Sequence, residues 1–187
     1  MVLVERVWQR TTPLKDVCLA LGGVALLAVT AQVEIPLWPV PVTGQTFGVL
    51  LLGALYGSRR GALATALYVA VGAAGLPVFA GGAGGVARLF GPTGGYLAGF
   101  VAAAWVVGRL SEGGWDRRPA MAVAAMLAGT AVIYAFGLLW LSAFVGPSRA
   151  VAAGLVPFVV GDALKIALAA AALPCGWKLL GREDRGR

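Results

Sequence analysis

The sequence predicts an all-α polytopic membrane protein, a single domain folded as a bundle of six transmembrane helices. Of its 187 residues, 59% are hydrophobic and only 12% charged, whereas soluble domains carry about 45–50% and about 25%. Mean hydropathy is +0.85. The apolar residues fall into six stretches between polar breaks, at roughly 17–33, 42–57, 61–80, 92–108, 119–145 and 150–176. Basic residues collect in alternate breaks, as they do on the cytosolic side of membrane proteins.

The first stretch, 17–33, runs into Pro36, Pro39 and Pro41, which make the following loop extended because proline fixes its own φ and biases its predecessor. A charged start and a Val29-Thr30-Ala31 ending give residues 1–31 some signal-peptide character, but the apolar run continues past that point to Val33. The second stretch, 42–57, ends at Ser58-Arg59-Arg60-Gly61, read as a tight turn. The third, 61–80, leads into the flexible run Gly81–Gly85. Pro92 suits the first turn of the fourth, 92–108. A polar connector from Glu112 to Pro119 precedes the fifth, 119–145, and Gly146-Pro147-Ser148-Arg149 turns into the sixth, 150–176. Several stretches are short for a span, which tilt and flanking Trp or Tyr accommodate. The frequent Ala and Gly residues let helix backbones approach closely where lipid removes the hydrophobic drive for association.

With both termini cytoplasmic, six spans place Arg6, Arg10, Lys15, Arg59, Arg60, Arg109, Arg117, Arg118, Lys178, Arg182, Arg185 and Arg187 inside, and only Arg88 and Arg149 outside. Lys165 falls within a span. That asymmetry supports the helix count and the orientation, in the cell (inner or plasma) membrane of a prokaryote. It also argues against nucleic-acid binding, which needs Lys and Arg on one continuous face. Cys18 and Cys175 are expected at the reducing cytosolic ends as small packing residues.

The last stretch contains Asp162 and Lys165, three residues apart and so on one helix face. Each ionisable residue at a helix centre costs about 2.5–3.5 kcal/mol on insertion scales, so two apolar residues would be the less costly structural solution. The pair therefore marks a polar binding site in the outward half of the bundle, against the plainer alternative of a self-neutralised packing pair. Asp supplies acceptors, and Lys supplies donors with positive charge. Arg88, alone among apolar residues on an outward loop, is a second cation for an anionic group, or an interfacial arginine snorkelling to lipid phosphate. Thr43 and Gln45 follow the proline-rich loop and can finish the site. Trp38, Phe79, Phe90 and Tyr96 lie on the same side and can wall or cover it, or form an interfacial belt against membrane lipid. No His is present, so no Ser–His–Asp triad or histidine metal site can form, and the glycine-rich run lacks a following Gly-Lys-Ser/Thr. Asp162 is the only acidic residue deep in a stretch, which argues against a two-carboxylate intramembrane enzyme.

Five motifs in order, Ile35-Pro-Leu-Trp-Pro-Val-Pro-Val-Thr-Gly-Gln45-Thr-Phe, Leu55-Tyr-Gly-Ser-Arg-Arg-Gly61, Gly75-Leu-Pro-Val-Phe-Ala-Gly-Gly82, Gly91-Pro-Thr-Gly-Gly-Tyr96 and Gly161-Asp-Ala-Leu-Lys165, resemble the BioY family across residues 17–176. Those proteins are the biotin-specific substrate-binding (S) components of energy-coupling factor (ECF) transporters. The resemblance implies a six-helix bundle that captures biotin near the extracellular surface. It further implies partners, a membrane coupling subunit and two cytosolic ATPase subunits, and no cofactor, with biotin as the cargo. It also implies that Asp162 and Lys165 contact biotin: Asp162 at the ureido N–H groups, Lys165 and Arg88 at the ureido carbonyl or the valerate carboxylate in an order left open. Tyr96 would wall the ring, with Gln45 and Thr43 in the loop side of the site. The family's first helix is similar to an Ala-x-x-x-Ala docking surface. This chain departs from it, with Leu21-Gly-Gly-Val-Ala25 at the corresponding place. An S component for thiamine or riboflavin, or a ligand-free assembly subunit, would share the architecture. On the biotin reading, Asp162→Asn and Lys165→Met should weaken binding with expression nearly unchanged.

Overall fold

The computed structural model describes residues 2–7 and 12–183. Its helices run in the order α1 (Leu3–Val7), α2 (Pro13–Gln32), α3 (Gln45–Tyr56), α4 (Ser58–Ala73), α5 (Ala87–Phe90), α6 (Gly94–Glu112), α7 (Pro119–Val145), α8 (Pro147–Gly154) and α9 (Val156–Glu183). The only strands among the described residues are β1 (Glu34–Ile35) and β2 (Val42–Thr43), antiparallel with Glu34 opposite Thr43 and Ile35 opposite Val42. The fold is an all-helical bundle, with α6 at its centre against α3, α4 and α7.

Each of the six apolar stretches contains a long helical segment, but their ends move. The first helix begins at Pro13, where proline costs nothing because an N1 amide has no intrahelical acceptor. Residues 42–43 of the second stretch are strand, and its helix ends at Tyr56. The turn that follows is made by Gly57 alone, with φ 82°, while Ser58, Arg59 and Arg60 already belong to α4. The third helix stops at Ala73, seven residues before the expected end at 80. The fourth starts at Gly94, leaving Pro92 in the preceding turn. The fifth, Pro119–Val145, agrees with the expectation. The sixth is broken at Leu155 (φ −123°, ψ −57°) into α8 and α9. The Gly81–Gly85 run is an ordered turn: Ala80–Gly82 form a 3-10 turn and Phe79 bridges Ala83.

Polarity is distributed as lipid requires. Leu14, Leu21, Val29, Leu139, Val160 and Leu164 are exposed on the outside of the bundle, while Thr43, Gln45, Thr46 and Asp162 are buried inside it. Cys18 and Cys175 are likewise exposed, so the expectation that they pack internally is corrected. By length and composition Pro13–Gln32, Pro119–Val145 and the α8–α9 stretch Pro147–Lys178 are long and apolar enough to cross a membrane. At 12 residues, α3 rises only about 18 Å, short of a hydrocarbon core about 30 Å thick. Most of α3 is buried by its neighbours, so it meets protein rather than lipid along most of its length.

Small residues set the helix spacing. A Cβ on Gly53 would lie 2.6 Å from the Ala104 carbonyl oxygen, and one on Gly108 would lie 2.3 Å from Ser58 N. The α3–α4 corner therefore rests directly on the α6 backbone. Glu112 completes that joint: its Oε1 accepts from both Ser58 N–H and Ser58 Oγ–H, each at 2.7 Å, so the end of α6 caps the start of α4. Between α6 and α7, the buried Asp116 accepts from Trp177 Nε1–H at 2.6 Å, and the Arg117 guanidinium lies 4.5 Å from the Trp177 ring. That contact ties the connector to α9.

Candidate functional site

The cavity near the β1–β2 hairpin encloses about 620 Å³ of empty space, its open mouth included. Its apolar walls include Phe79, Tyr96, Phe100, Ile133 and Phe158, and its polar side chains are Thr43, Gln45, Thr46, Thr93, Tyr134 and Arg88. Elements far apart in sequence converge here because α3 begins at the inner end of the hairpin. Gln45 opens that helix, and Thr46 follows it into the bundle.

Of the residues singled out in the sequence, Thr43, Gln45, Arg88 and Tyr96 line the cavity. Thr43 and Gln45 brace one another: Thr43 Oγ1–H donates to Gln45 Oε1 at 3.0 Å and accepts from the Gln45 backbone N–H at 3.2 Å. Gln45 Nε2–H then donates to Tyr68 OH at 2.7 Å, and Tyr68 donates to the Val78 carbonyl at 2.9 Å. The Tyr96 hydroxyl donates to the Gly154 carbonyl at 2.9 Å, so its ring, stacked 6.3 Å from Phe158, is what the cavity meets. Arg88 is exposed, and among the described residues its guanidinium has no hydrogen-bonding or ionic partner. Phe79 also lines the cavity, whereas Trp38 and Phe90 lie outside its wall, 86% and 68% exposed.

Asp162 and Lys165 are placed one layer behind the wall. They pair at 2.9 Å as their spacing requires. Asp162 Oδ1 also accepts from Thr46 Oγ1–H at 3.1 Å, and Oδ2 accepts from Tyr134 OH. Lys165 Nζ donates to Asp162, to Thr46 Oγ1 and to the Thr43 carbonyl, the last two both at 2.8 Å. Its three N–H donors are thus all engaged. The charged pair is a hub through which α9 holds α3, α7 and the hairpin, and it reaches the cavity through Thr46 and Tyr134.

Thr46, Tyr68, Tyr134 and Phe158 are site residues that sequence reasoning missed. Thr46 adjoins Gln45 and was within reach of the same argument. Tyr134 is 28 positions from Asp162, and no spacing rule connects them.

The family model described as the BioY family matches residues 5–182. A probable biotin transporter BioY of Pyrococcus horikoshii is 41% identical over 155 residues, 83% of this chain and 91% of the relative. A biotin transporter BioY of Thermotoga maritima is 46% identical over 149 residues, 78% and 86% of the two chains. Among solved structures, the S-component for biotin from an ECF-type ABC transporter superposes with a TM-score of 0.78 at 24% identity, covering 90% of this chain and 95% of that one. The helical fold, the convergent polar cavity and these matches agree: this chain belongs to the BioY family.

Proposed function

We propose that this membrane-embedded protein captures biotin from outside the cell as the substrate-binding component of an ECF transporter. It is a transport component rather than an enzyme, and biotin is cargo rather than cofactor. The observation that carries the reading is the cavity's division of labour. It has an aromatic and aliphatic interior, a hydroxyl-bearing wall backed by the buried Asp162–Lys165 pair, and along its lining the cation Arg88, which has no partner among the described residues. Biotin has the matching parts: an apolar fused ring, a ureido group and a carboxylate tail.

This division supports an order that the residues alone left open. Lys165 has no spare donor, whereas among the described residues Arg88 has no partner, which leaves its N–H groups for a carboxylate in a bidentate fork. Arg88 therefore takes the valerate carboxylate. The ureido N–H groups exchange for the Tyr134 and Thr46 hydroxyls on Asp162, so one set of hydrogen bonds replaces another and the carboxylate is never left bare. The Tyr96 face walls the ring, and Gln45 and Thr43 hold the hairpin side.

The orientation read from the basic residues puts both termini in the cytoplasm of a prokaryotic cell and the cavity mouth outside, with six spans near the helix bounds given above. The partners on this reading are a membrane coupling subunit and two cytosolic ATPase subunits. On α2, Leu21, Gly22 and Ala25 are exposed along one face, and a Cβ on Gly22 would meet nothing closer than the Tyr56 hydroxyl at 3.5 Å. That thin face supports docking despite Leu21.

Copurification tests the function. Overexpressed and extracted into detergent, the chain should carry biotin from the membrane and rebind labelled biotin to saturation. Saturation by thiamine or riboflavin, with none by biotin, would overturn the specificity.

A further inference from the structure

The loop bearing Arg88 is rich in glycine. It contains Gly81, Gly82, Gly84 and Gly85, and three of these have positive φ (67°, 65° and 97° for Gly81, Gly82 and Gly85). Such residues contribute no side-chain packing and have the widest backbone freedom. Its inner side is fastened to the cavity wall: Tyr68 OH donates to the Val78 carbonyl, Gly85 N–H donates to the Gly72 carbonyl at 2.7 Å, and the Phe79 ring packs against Gly72. On its exposed side the part around Gly81 and Gly82 is fastened, among the described residues, by Gln32, the last residue of α2, while further along Thr93 Oγ1–H donates to the Arg88 carbonyl at 3.4 Å and Trp140 Nε1–H to the Gly91 carbonyl at 2.9 Å. Gln32 Nε2–H donates to the Phe79 carbonyl at 3.2 Å, and Gln32 Oε1 accepts from Gly82 N–H at 3.1 Å. The two bonds bracket the 3-10 turn Ala80–Gly82. A further bond from Nε2 to the Ala28 carbonyl at 3.2 Å fixes the amide against its own helix. Six residues beyond Gly82, Arg88 N–H donates to the Gly85 carbonyl at 3.1 Å as α5 begins.

We propose that Gln32 is a positioning residue for carboxylate recognition: by clamping Phe79 and Gly82 it sets where the glycine-rich loop presents Arg88 to the cavity. The inference rests on the assignment of Arg88 to the biotin carboxylate. Gln32 touches no ligand itself. It suits the role chemically because a primary amide offers a donor and an acceptor side by side. The turn presents a carbonyl and an N–H in the same arrangement, so the fit is lost on truncation.

The test compares two ligands on the detergent-purified chain by calorimetric titration: biotin, and biotinamide, whose ring is intact and whose tail is neutral. Gln32→Ala should weaken biotin by about 3–10-fold and leave biotinamide within about twofold. Combined with Arg88→Ala, it should add less than about twofold to the loss from Arg88→Ala alone, because the clamp then has no cation to position. In hydrogen exchange, the Gly82 amide should lose protection in Gln32→Ala. Equal losses for both ligands, or a full additional loss in the Arg88→Ala background, would overturn the inference by showing general support of the cavity. Unchanged biotin affinity in Gln32→Ala alone overturns it as well. Wild-type biotin affinity in Arg88→Ala would instead remove the premise about Arg88, and failure of the unaltered chain to bind biotin would remove the functional reading.

Discussion

Replacing Asp162 with Asn should unsettle the bundle as well as ligand capture, which revises the sequence-based expectation of nearly unchanged expression. The carboxylate accepts from Thr46, Tyr134 and the Lys165 ammonium, the last at 2.9 Å. Asn retains one acceptor oxygen and turns an N–H donor towards groups that are themselves donors. Lys165 is then left with uncompensated charge at 17% side-chain exposure. Breaking a buried pair by removing one partner costs about 3–5 kcal/mol. The Thr43 carbonyl and Thr46 hydroxyl still solvate the ammonium, which puts the loss at the lower end, about 3 kcal/mol. For a chain of this size that is a melting-temperature fall of about 6–12 °C. In Asp162→Asn/Lys165→Met, with both charges gone, stability should return to within about 1 kcal/mol of wild type, while biotin binding stays lost. The assay is thermal unfolding of the three proteins in one detergent, without biotin and then with it at saturation. An Asp162→Asn protein that melts within about 2 °C of wild type would refute the hub, because it would show that the pair does not join α9 to α3 and α7.

Arg88→Ala should weaken biotin by about 10–150-fold, the range for losing a charge-assisted hydrogen bond, with the melting temperature of the ligand-free protein unchanged; titration calorimetry and thermal scans read both. Gly108→Val should sharply reduce the folded, monodisperse fraction on size-exclusion chromatography, since even a Cβ there would lie 2.3 Å from Ser58 N and 2.4 Å from the Gly57 carbonyl carbon. Burial raises the Asp116 carboxyl above its ordinary value of 3.8, against the lowering effects of the Trp177 hydrogen bond and the Arg117 charge. The folded form thus holds that proton more tightly than the unfolded form. Its stabilising contribution is complete below the ordinary value and is lost as pH rises through the raised folded value. Asp116→Asn should therefore flatten the fall in melting temperature as pH rises above the ordinary carboxyl value, and an unchanged profile would contradict the burial argument.

Much of the site is legible in the sequence because lipid makes polar residues conspicuous. Thr43, Gln45, Arg88 and Tyr96 were each marked by polarity or position within apolar sequence, and all four line the cavity. The Asp162–Lys165 pairing followed from helical periodicity. Their placement behind the wall did not, because it depends on Tyr134 and Thr46 arriving from α7 and α3 to occupy the nearer layer. Helix ends followed the same division. Pro119 and Val145 were bounded by punctuating residues, whereas the early end of α4 at Ala73 is set where the chain folds back, with Gly85 N–H meeting the Gly72 carbonyl.

By itself, then, the sequence determined the solvent and the architecture: its long apolar stretches and the alternation of basic breaks specify a helical bundle in lipid, because a helix satisfies its backbone polar groups within its own segment. It also determined that a buried ion pair exists, since local spacing alone brings Asp162 and Lys165 together. Tertiary structure decided which cation is free to meet a ligand. Lys165 donates to groups at positions 43, 46 and 162 while Arg88 has no partner among the described residues. A side chain's remaining hydrogen-bonding capacity depends on what the fold packs around it.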